Sequence, residues 1–168
     1  MQVASAPGSR TRGVLTFHGA SLPVALGRSG IQANKREGDG ATPRGRFRLV
    51  RLWWRADRLP YPGTRLPARR IEMNDAWCED PSDRRYNRAV KLSQASSADR
   101  LWRDDHLYDL VVELDHNTRP RAKNRGSAVF IHVARPGFAP TAGCVALKAE
   151  DLRRLLARLP RHARIDIG

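Results

Sequence analysis

Short apolar runs alternate along this chain with long polar stretches punctuated by glycine and proline. Val14–Phe17 and Leu22–Leu26 are β-prone runs joined by His18-Gly19-Ala20-Ser21, an arrangement that predicts a hairpin. Phe47–Trp54, Tyr108–Leu114 (YDLVVEL), Ser127–Val133 (SAVFIHV) and a closing Arg164–Ile167 read as further strands. Within Ser127–Val133, Val129 and Ile131 fall on one face, and Phe130 and His132 on the other. Ala149–Leu159 (AEDLRRLLARL) spaces Leu152, Leu155, Leu156 and Leu159 at the helical period, opens on acids and stops at Pro160, so it predicts a helix. A short helix is expected over Ser96–Trp102. Residues 34–46 are rich in Gly, Pro and charge and read as a loop. From Arg55 to about Asn87 prolines interrupt any periodicity, with Ile71–Met73 as a short strand; so long an irregular stretch in a compact domain usually serves function. Residues 1–10 read as a disordered, polar lead-in. The inventory is mostly β (α+β), a single domain over 1–168 with one helix near its C-terminal end.

Composition adds bounds. The 168 residues, 40% apolar and 29% charged, suit a globular domain with its own core. No apolar run approaches the ~20 residues of a membrane span. The opening MQVASAPGSRTRG carries no apolar h-region, so no secretory signal is expected there. The net charge of +14, from 31 Lys+Arg against 17 Asp+Glu, draws the chain to polyanions: nucleic acid, anionic lipid or an acidic polymer. The positive residues are scattered from end to end, which argues for a solvated basic surface over a nucleic-acid-binding tail. Two cysteines, Cys78 and Cys144, are too few for a disulfide scaffold. No clustered Cys/His spacing suggests zinc, and consecutive Asp104, Asp105 and His106 do not converge on a metal, so no metal and no cofactor is expected.

The chemistry concentrates in SAVFIHVARPGFAPTAGCVAL, Ser127–Leu147. A histidine at a strand end and a cysteine after a Thr-Ala-Gly turn are the minimum set for a thiolate nucleophile. A neighbouring imidazole lowers a thiol pKa by pairing with the thiolate and then protonates the leaving group. Its tautomer needs a third group, a carboxylate or a backbone carbonyl. Gly143 lets the backbone approach a substrate closely, and N–H groups at Gly143 and Cys144 are placed to hold an oxyanion. The alternative for each residue taken alone is a buried small hydrophobe for the cysteine and a packed histidine.

His132, the loop Ala134–Pro140 and Thr141-Ala142-Gly143-Cys144-Val145 together resemble the YkuD-type L,D-transpeptidase catalytic domain, whose hallmark is a His, a spacer and then Ser/Thr-His-Gly-Cys. Gly38-Asp39-Gly40-Ala41-Thr42-Pro43-Arg44-Gly45 matches that family's Gly-Asp-x-x-Thr-Pro-x-Gly loop, in the expected order. The resemblance runs from Val14 to Ile167. It departs at Ala142, where the family has histidine, and at Ala146, where it has a polar residue; both bear on substrate choice, and they mark a divergent branch.

The resemblance implies a β-sandwich-like catalytic fold with a helix packed on the sheet. It implies Cys144 as nucleophile and His132 as base, with the Val133 carbonyl orienting the imidazole. The substrates would be peptidoglycan stem peptides, donor and acceptor: Cys144 forms a thioester with a carbonyl next to an L-centre, and an amine of a second stem takes the acyl group. The product is a 3-3 or a variant 1-3 cross-link, with consequences for cell shape, and carbapenems are expected to acylate Cys144. Candidate substrate contacts are Thr141, His116, Asn74, Trp77 and Arg88, with Asp75, Tyr86 and Asn87 beside them; His116, at the end of a strand, is a candidate to edge the cleft and partly replace the imidazole missing at 142, the favoured alternative for it being a surface turn. Cys78 is expected to be a structural thiol, and His18 and His162 to be exposed. Water as acceptor would make the enzyme an L,D-carboxypeptidase or amidase; a non-catalytic basic module binding cell wall or nucleic acid is the remaining alternative. The transpeptidase reading expects no nucleic-acid partner, a monomer, and a periplasmic or cell-envelope location, with the cytoplasm as the alternative.

Overall fold

The first two strands to pair are the hairpin. In a computed structural model, which describes residues 1–94 and 97–168, the chain begins with β1 (Gln2–Ser5), β2 (Arg12–Phe17) and β3 (Ala20–Ala25). β2 and β3 are antiparallel with Phe17 opposite Ala20, so His18 and Gly19 alone make the turn, both at positive φ. That conformation matches strand twist, and it places a glycine where a side chain would be strained. β4 (Ile31–Gln32) and β5 (Thr42–Pro43) bracket the Gly-rich loop and pair in parallel. β6 (Gly45–Trp54) is the longest strand; β7 (Ala68–Arg70), β8 (Asp75–Cys78), β9 (Ala89–Lys91) and β10 (Ala98–Arg100) follow. β11 (Leu110–Leu114), β12 (Phe130–Val133), β13 (Val145–Leu147), α1 (Ala149–Arg158) and β14 (Arg164–Ile167) complete the chain.

The main sheet runs β11-β12-β13-β3-β2-β1-β14-β6-β7, and β11 also pairs with β6, so the ladder closes on itself with β7 appended. Closure removes most free edges. Alternation along β11 and β12 then serves two cores. Leu110, Val112, Leu114, Val129 and Ile131 face the main core with Leu15, Val24, Leu26 and Leu52. Val111 and Phe130 face a second cluster with Trp53, Trp77, Leu107, Tyr108 and Cys144. The small sheet β10-β8-β9 contributes Trp77 to that cluster, so the irregular-looking region walls the half of the molecule that holds the cysteine. α1 buries Leu152, Leu155 and Leu156 in the main core, each burial contributing about 2 kcal/mol. Glu150 and Asp151 in its first turn complement the positive end of the helix dipole.

The mostly β architecture with one C-terminal helix is as expected. Several local readings are corrected. Residues 1–10 are not a disordered lead-in: β1 lies between β2 and β14, Gln2 facing Thr16 and Asp166. The helix expected over Ser96–Trp102 is replaced by strand β10, paired with β8; Ser96 itself lies outside the described residues. Ile71–Met73 is not a strand but the link between β7 and β8.

Candidate active site

Strand alternation turns His132 away from the main core and toward the cluster that contains Cys144. Cys144 arrives immediately before β13, which pairs in parallel with β12 so that Ala146 lies beside His132. Both side chains line one cavity of about 530 Å³, together with Arg28, Glu79, Asp99 and Tyr108. His132 is 6% exposed and its Nδ1–H donates to the Val133 carbonyl at 2.8 Å. That bond fixes the tautomer and leaves Nε2 as the acceptor nitrogen. The Tyr108 ring packs edge-on against the imidazole at 5.3 Å.

The thiol is in a resting state different from the one expected. Sγ donates to the Ala128 carbonyl at 3.2 Å and accepts from the Phe130 N–H at 3.4 Å. Burial pushes its pKa up to about 12, and burial likewise pulls His132 down to about 4. A thiol donating to a carbonyl keeps its proton, so the lowered thiol pKa expected from a thiolate–imidazolium pair is corrected: cysteine and histidine are both neutral, held in one cavity, with no hydrogen bond between them among the described residues. Desolvation outweighs pairing here, because both groups are almost completely covered.

The backbone around the cysteine is fixed by the Gly38–Gly45 loop. Thr141 Oγ1 donates to the Cys144 carbonyl at 2.7 Å and accepts from the Gly143 N–H at 3.1 Å. Thr42 Oγ1 also lies 3.5 Å from the Cys144 carbonyl and accepts from the Gly27 N–H at 2.8 Å. The upstream loop is therefore a buttress for the nucleophile: the Asp39 carboxylate holds its own loop through the N–H groups of Arg36 and Ala41 and the ammonium of Lys35. Gly143 sits at φ +144°, and a Cβ there would meet the Ala41 carbonyl oxygen at 2.7 Å. We expect Gly143→Ala to cost about 2 kcal/mol of unfolding free energy from backbone strain, with the clash against the Ala41 carbonyl adding to that loss. Gly137→Ala, at positive φ but facing open space, is the control for strain without the close approach. Urea unfolding of the two variants checks this, and equal losses would dispose of the close-approach argument.

The remaining expected site residues divide. Thr141 lines the cavity, yet its hydroxyl is used internally. Gly143 was expected to offer its N–H to an oxyanion; that N–H is committed to Thr141, which leaves the Cys144 N–H as the backbone donor of the pair. His116 does not edge the cleft: its Nε2 takes a place 2.9 Å from the Arg125 carbonyl and its ring packs against Phe47. Asn74 is exposed in the turn before β8, away from the cavity lining. Trp77 is a buried packing residue, its Nε1–H donating to Asn87 Oδ1 and its ring edge-on to Phe130. Arg88 lines a different hollow. Asp75 is paired with Lys91, and Tyr86 donates its hydroxyl to Glu37. Cys78 is free and buried, as expected of a structural thiol, and Cys144 is free too, so no bridge disables it.

The sequence did not point to the acids of the cleft. Asp99 accepts from the Tyr108 hydroxyl at 2.6 Å, and Glu79 faces the same cavity with no hydrogen-bond partner for its carboxylate among the described residues. Burial first, then the nearby charges of Asp99 and Glu37, push the Glu79 pKa up to about 7. Arg28, Arg103 and Arg135 line the same cavity, Arg103 pairing with Asp99 at 3.4 Å, so its wall carries both signs. Ala142 and Ala146, the two departures from the hallmark, both line this cavity, where their small side chains leave room.

Among known protein families, the model described as YkuD, L,D-transpeptidase catalytic domain, matches residues 12–167. No curated protein matches the chain. The family match covers every residue of the cavity just described.

Proposed function

Because the chain belongs to the YkuD family of L,D-transpeptidase catalytic domains, we propose that it is a cysteine acyltransferase acting on peptidoglycan stem peptides. The observation that carries this reading is the shared cavity: Cys144 and His132 line it, and the Nδ1–H bond to Val133 leaves Nε2 free to take a proton. A donor stem enters with a carbonyl next to an L-centre at Sγ. The thiol proton leaves the Ala128 carbonyl for His132 Nε2, and Sγ attacks the carbonyl carbon. The Cys144 N–H stabilises the oxyanion. The imidazolium then protonates the departing amine, which leaves a thioester on Cys144. An amine of a second stem attacks that thioester, gives its proton to His132, and frees the thiol as the new amide forms.

Two features support a stem-peptide ligand. The cleft is lined by a carboxylate without a hydrogen-bond partner among the described residues, Glu79, and by the guanidinium of Arg135, a pair of charges suited to a ligand end carrying both ammonium and carboxylate. Ala142 and Ala146 widen the space around Cys144 and His132, which suits a donor bond other than the usual one, a 1-3 cross-link included. We place the activity in the cell envelope, where cross-linked wall is made, and in a monomer.

Incubation with purified disaccharide-tetrapeptide and -pentapeptide muropeptides, read by tandem mass spectrometry, tests this. Cross-linked dimers that disappear in Cys144→Ser are expected, with the fragment pattern giving the bond. Shortened monomers instead would assign hydrolysis. Absence of both products, together with absence of a carbapenem adduct on Cys144, would defeat the catalytic reading.

A further inference from the structure

A second hollow, of about 480 Å³, shares no lining residue with the cleft. Trp53 and Trp77 form part of its wall, and six arginines surround it: Arg48, Arg51, Arg69, Arg88, Arg119 and Arg121. They come from β6, β7, the segment before β9 and the loop after β11, so the fold, and not one basic run, collects them.

Half of that charge is neutralised within the protein. Arg48 pairs with Asp115 at 2.8 Å, Arg51 with Glu113 at 3.2 Å, and Arg69 with Asp75 at 3.3 Å. Arg51 and Arg69 also lie over the Trp53 ring, at 5.5 and 4.8 Å. Arg88, Arg119 and Arg121 have no carboxylate partner among the described residues. Arg121 Nε is shielded from solvent and makes no hydrogen bond. Burial, then the like charges of Arg88 and Arg119, make its guanidinium harder to keep charged, so these three cations lie close enough to repel one another. Like charges held together beside a sheltered, unsatisfied donor are relieved by a ligand that brings negative charge and acceptor oxygens.

We propose that this hollow is a binding site for a phosphate ester or pyrophosphate group, separate from the acyl-transfer cleft. Three unpaired guanidiniums call for more than the single charge of a carboxylate, and a phosphate group presents two or more on one compact centre. The hollow has room beyond the phosphate itself for the molecule that carries it. Its concave shape, walled by buried tryptophans, fits a compact anion; a nucleic-acid duplex would instead need an extended basic face.

Calorimetric titration of the full chain with pyrophosphate at low salt tests the site, with citrate and a short DNA duplex as parallel arms. One saturable pyrophosphate site is expected. It should weaken at least tenfold in the Arg88→Gln/Arg119→Gln double variant, whose two positions are exposed and whose thermal midpoint should match the parent. Arg121→Lys should weaken it too, since the charge stays but the planar fork is lost. Cys144→Ser should bind as the parent does. No saturable binding, or binding that survives the double variant, would overturn the proposal. Citrate binding as tightly as pyrophosphate would overturn the phosphate assignment. A duplex that binds more tightly and loses that binding in the same variants would replace it with a nucleic-acid surface.

Discussion

Replacing His132 with alanine is expected to slow acylation of Cys144 by about three orders of magnitude, the range in which positioned bases act. With its pKa near 12, roughly one Cys144 in 10⁴–10⁵ is thiolate at neutral pH, so a base must remove the proton as the carbonyl is attacked. His132 suits that task because its pKa lies near 4: it is neutral, and Nε2 is able to accept, at every pH above about 5. With the donor saturating, the wild-type acylation rate should therefore be flat from about pH 8 to 9, above the titration of Glu79 near 7, and fall only on the acid side. In His132→Ala the rate should climb tenfold per pH unit through that whole range, because hydroxide must make the thiolate. Quenched mass spectrometry of the muropeptide acyl-enzyme gives both rates. A merely structural histidine would change the level of the profile and not its slope; a variant within tenfold of wild type at pH 7 would remove His132 from the base role.

How far this site was legible in the sequence follows from the range of the forces involved. The hairpin, α1 and β14 rest on local periodicity and turn chemistry, and they lie where the pattern puts them. The face shared by Phe130 and His132 was readable from alternation alone, and it is what brings His132 to the cleft. β1 was missed because a four-residue strand has little pattern of its own; it exists through β14, whose Asp166 it meets from the far end of the chain. β13 is three residues long and is defined by its neighbours β12 and β3. His116, Asn74 and Arg88 were selected by residue type and region, and the fold sends each elsewhere. The Gly38–Gly45 motif was recognisable, but its work in holding the Cys144 carbonyl through Thr42 and pressing Ala41 onto Gly143 is visible only in three dimensions. The protonation states were least legible of all, because they depend on the depth of burial of Cys144, His132 and Glu79.

That burial carries a consequence for stability, expected to be on the order of 3 kcal/mol, which wild-type protein hides. His132 falls from an ordinary 6.5 to about 4 in the folded state, through burial. The unfolded chain then binds the extra proton between those values, so its share of stability is present above pH 6.5 and is lost as pH falls toward 4. Glu79 rises from 4.5 to about 7, again through burial and through the neighbouring Asp99 and Glu37 carboxylates. Here the folded chain binds the extra proton, so its share is present below pH 4.5 and is lost as pH rises through 7. Over pH 4.5–6.5 the two slopes oppose each other and nearly cancel. His116, lowered by burial, adds to the first, and the buried carboxyls of Asp99 and Glu113, raised by burial, add to the second. Glu79→Gln should uncover the histidine slope, losing on the order of 3 kcal/mol between pH 6.5 and 4.5 while the wild type changes little. His132→Gln should do the reverse and gain stability over the same window. Urea unfolding at closely spaced pH values resolves these slopes, and a Glu79→Gln profile parallel to wild type would mean that Glu79 titrates in the cleft as an ordinary solvated carboxylate. The offset also bears on acyl transfer, because a cleft that must exclude water to poise an uncharged histidine can do so without becoming acid-labile only if a second buried group takes up the compensating proton.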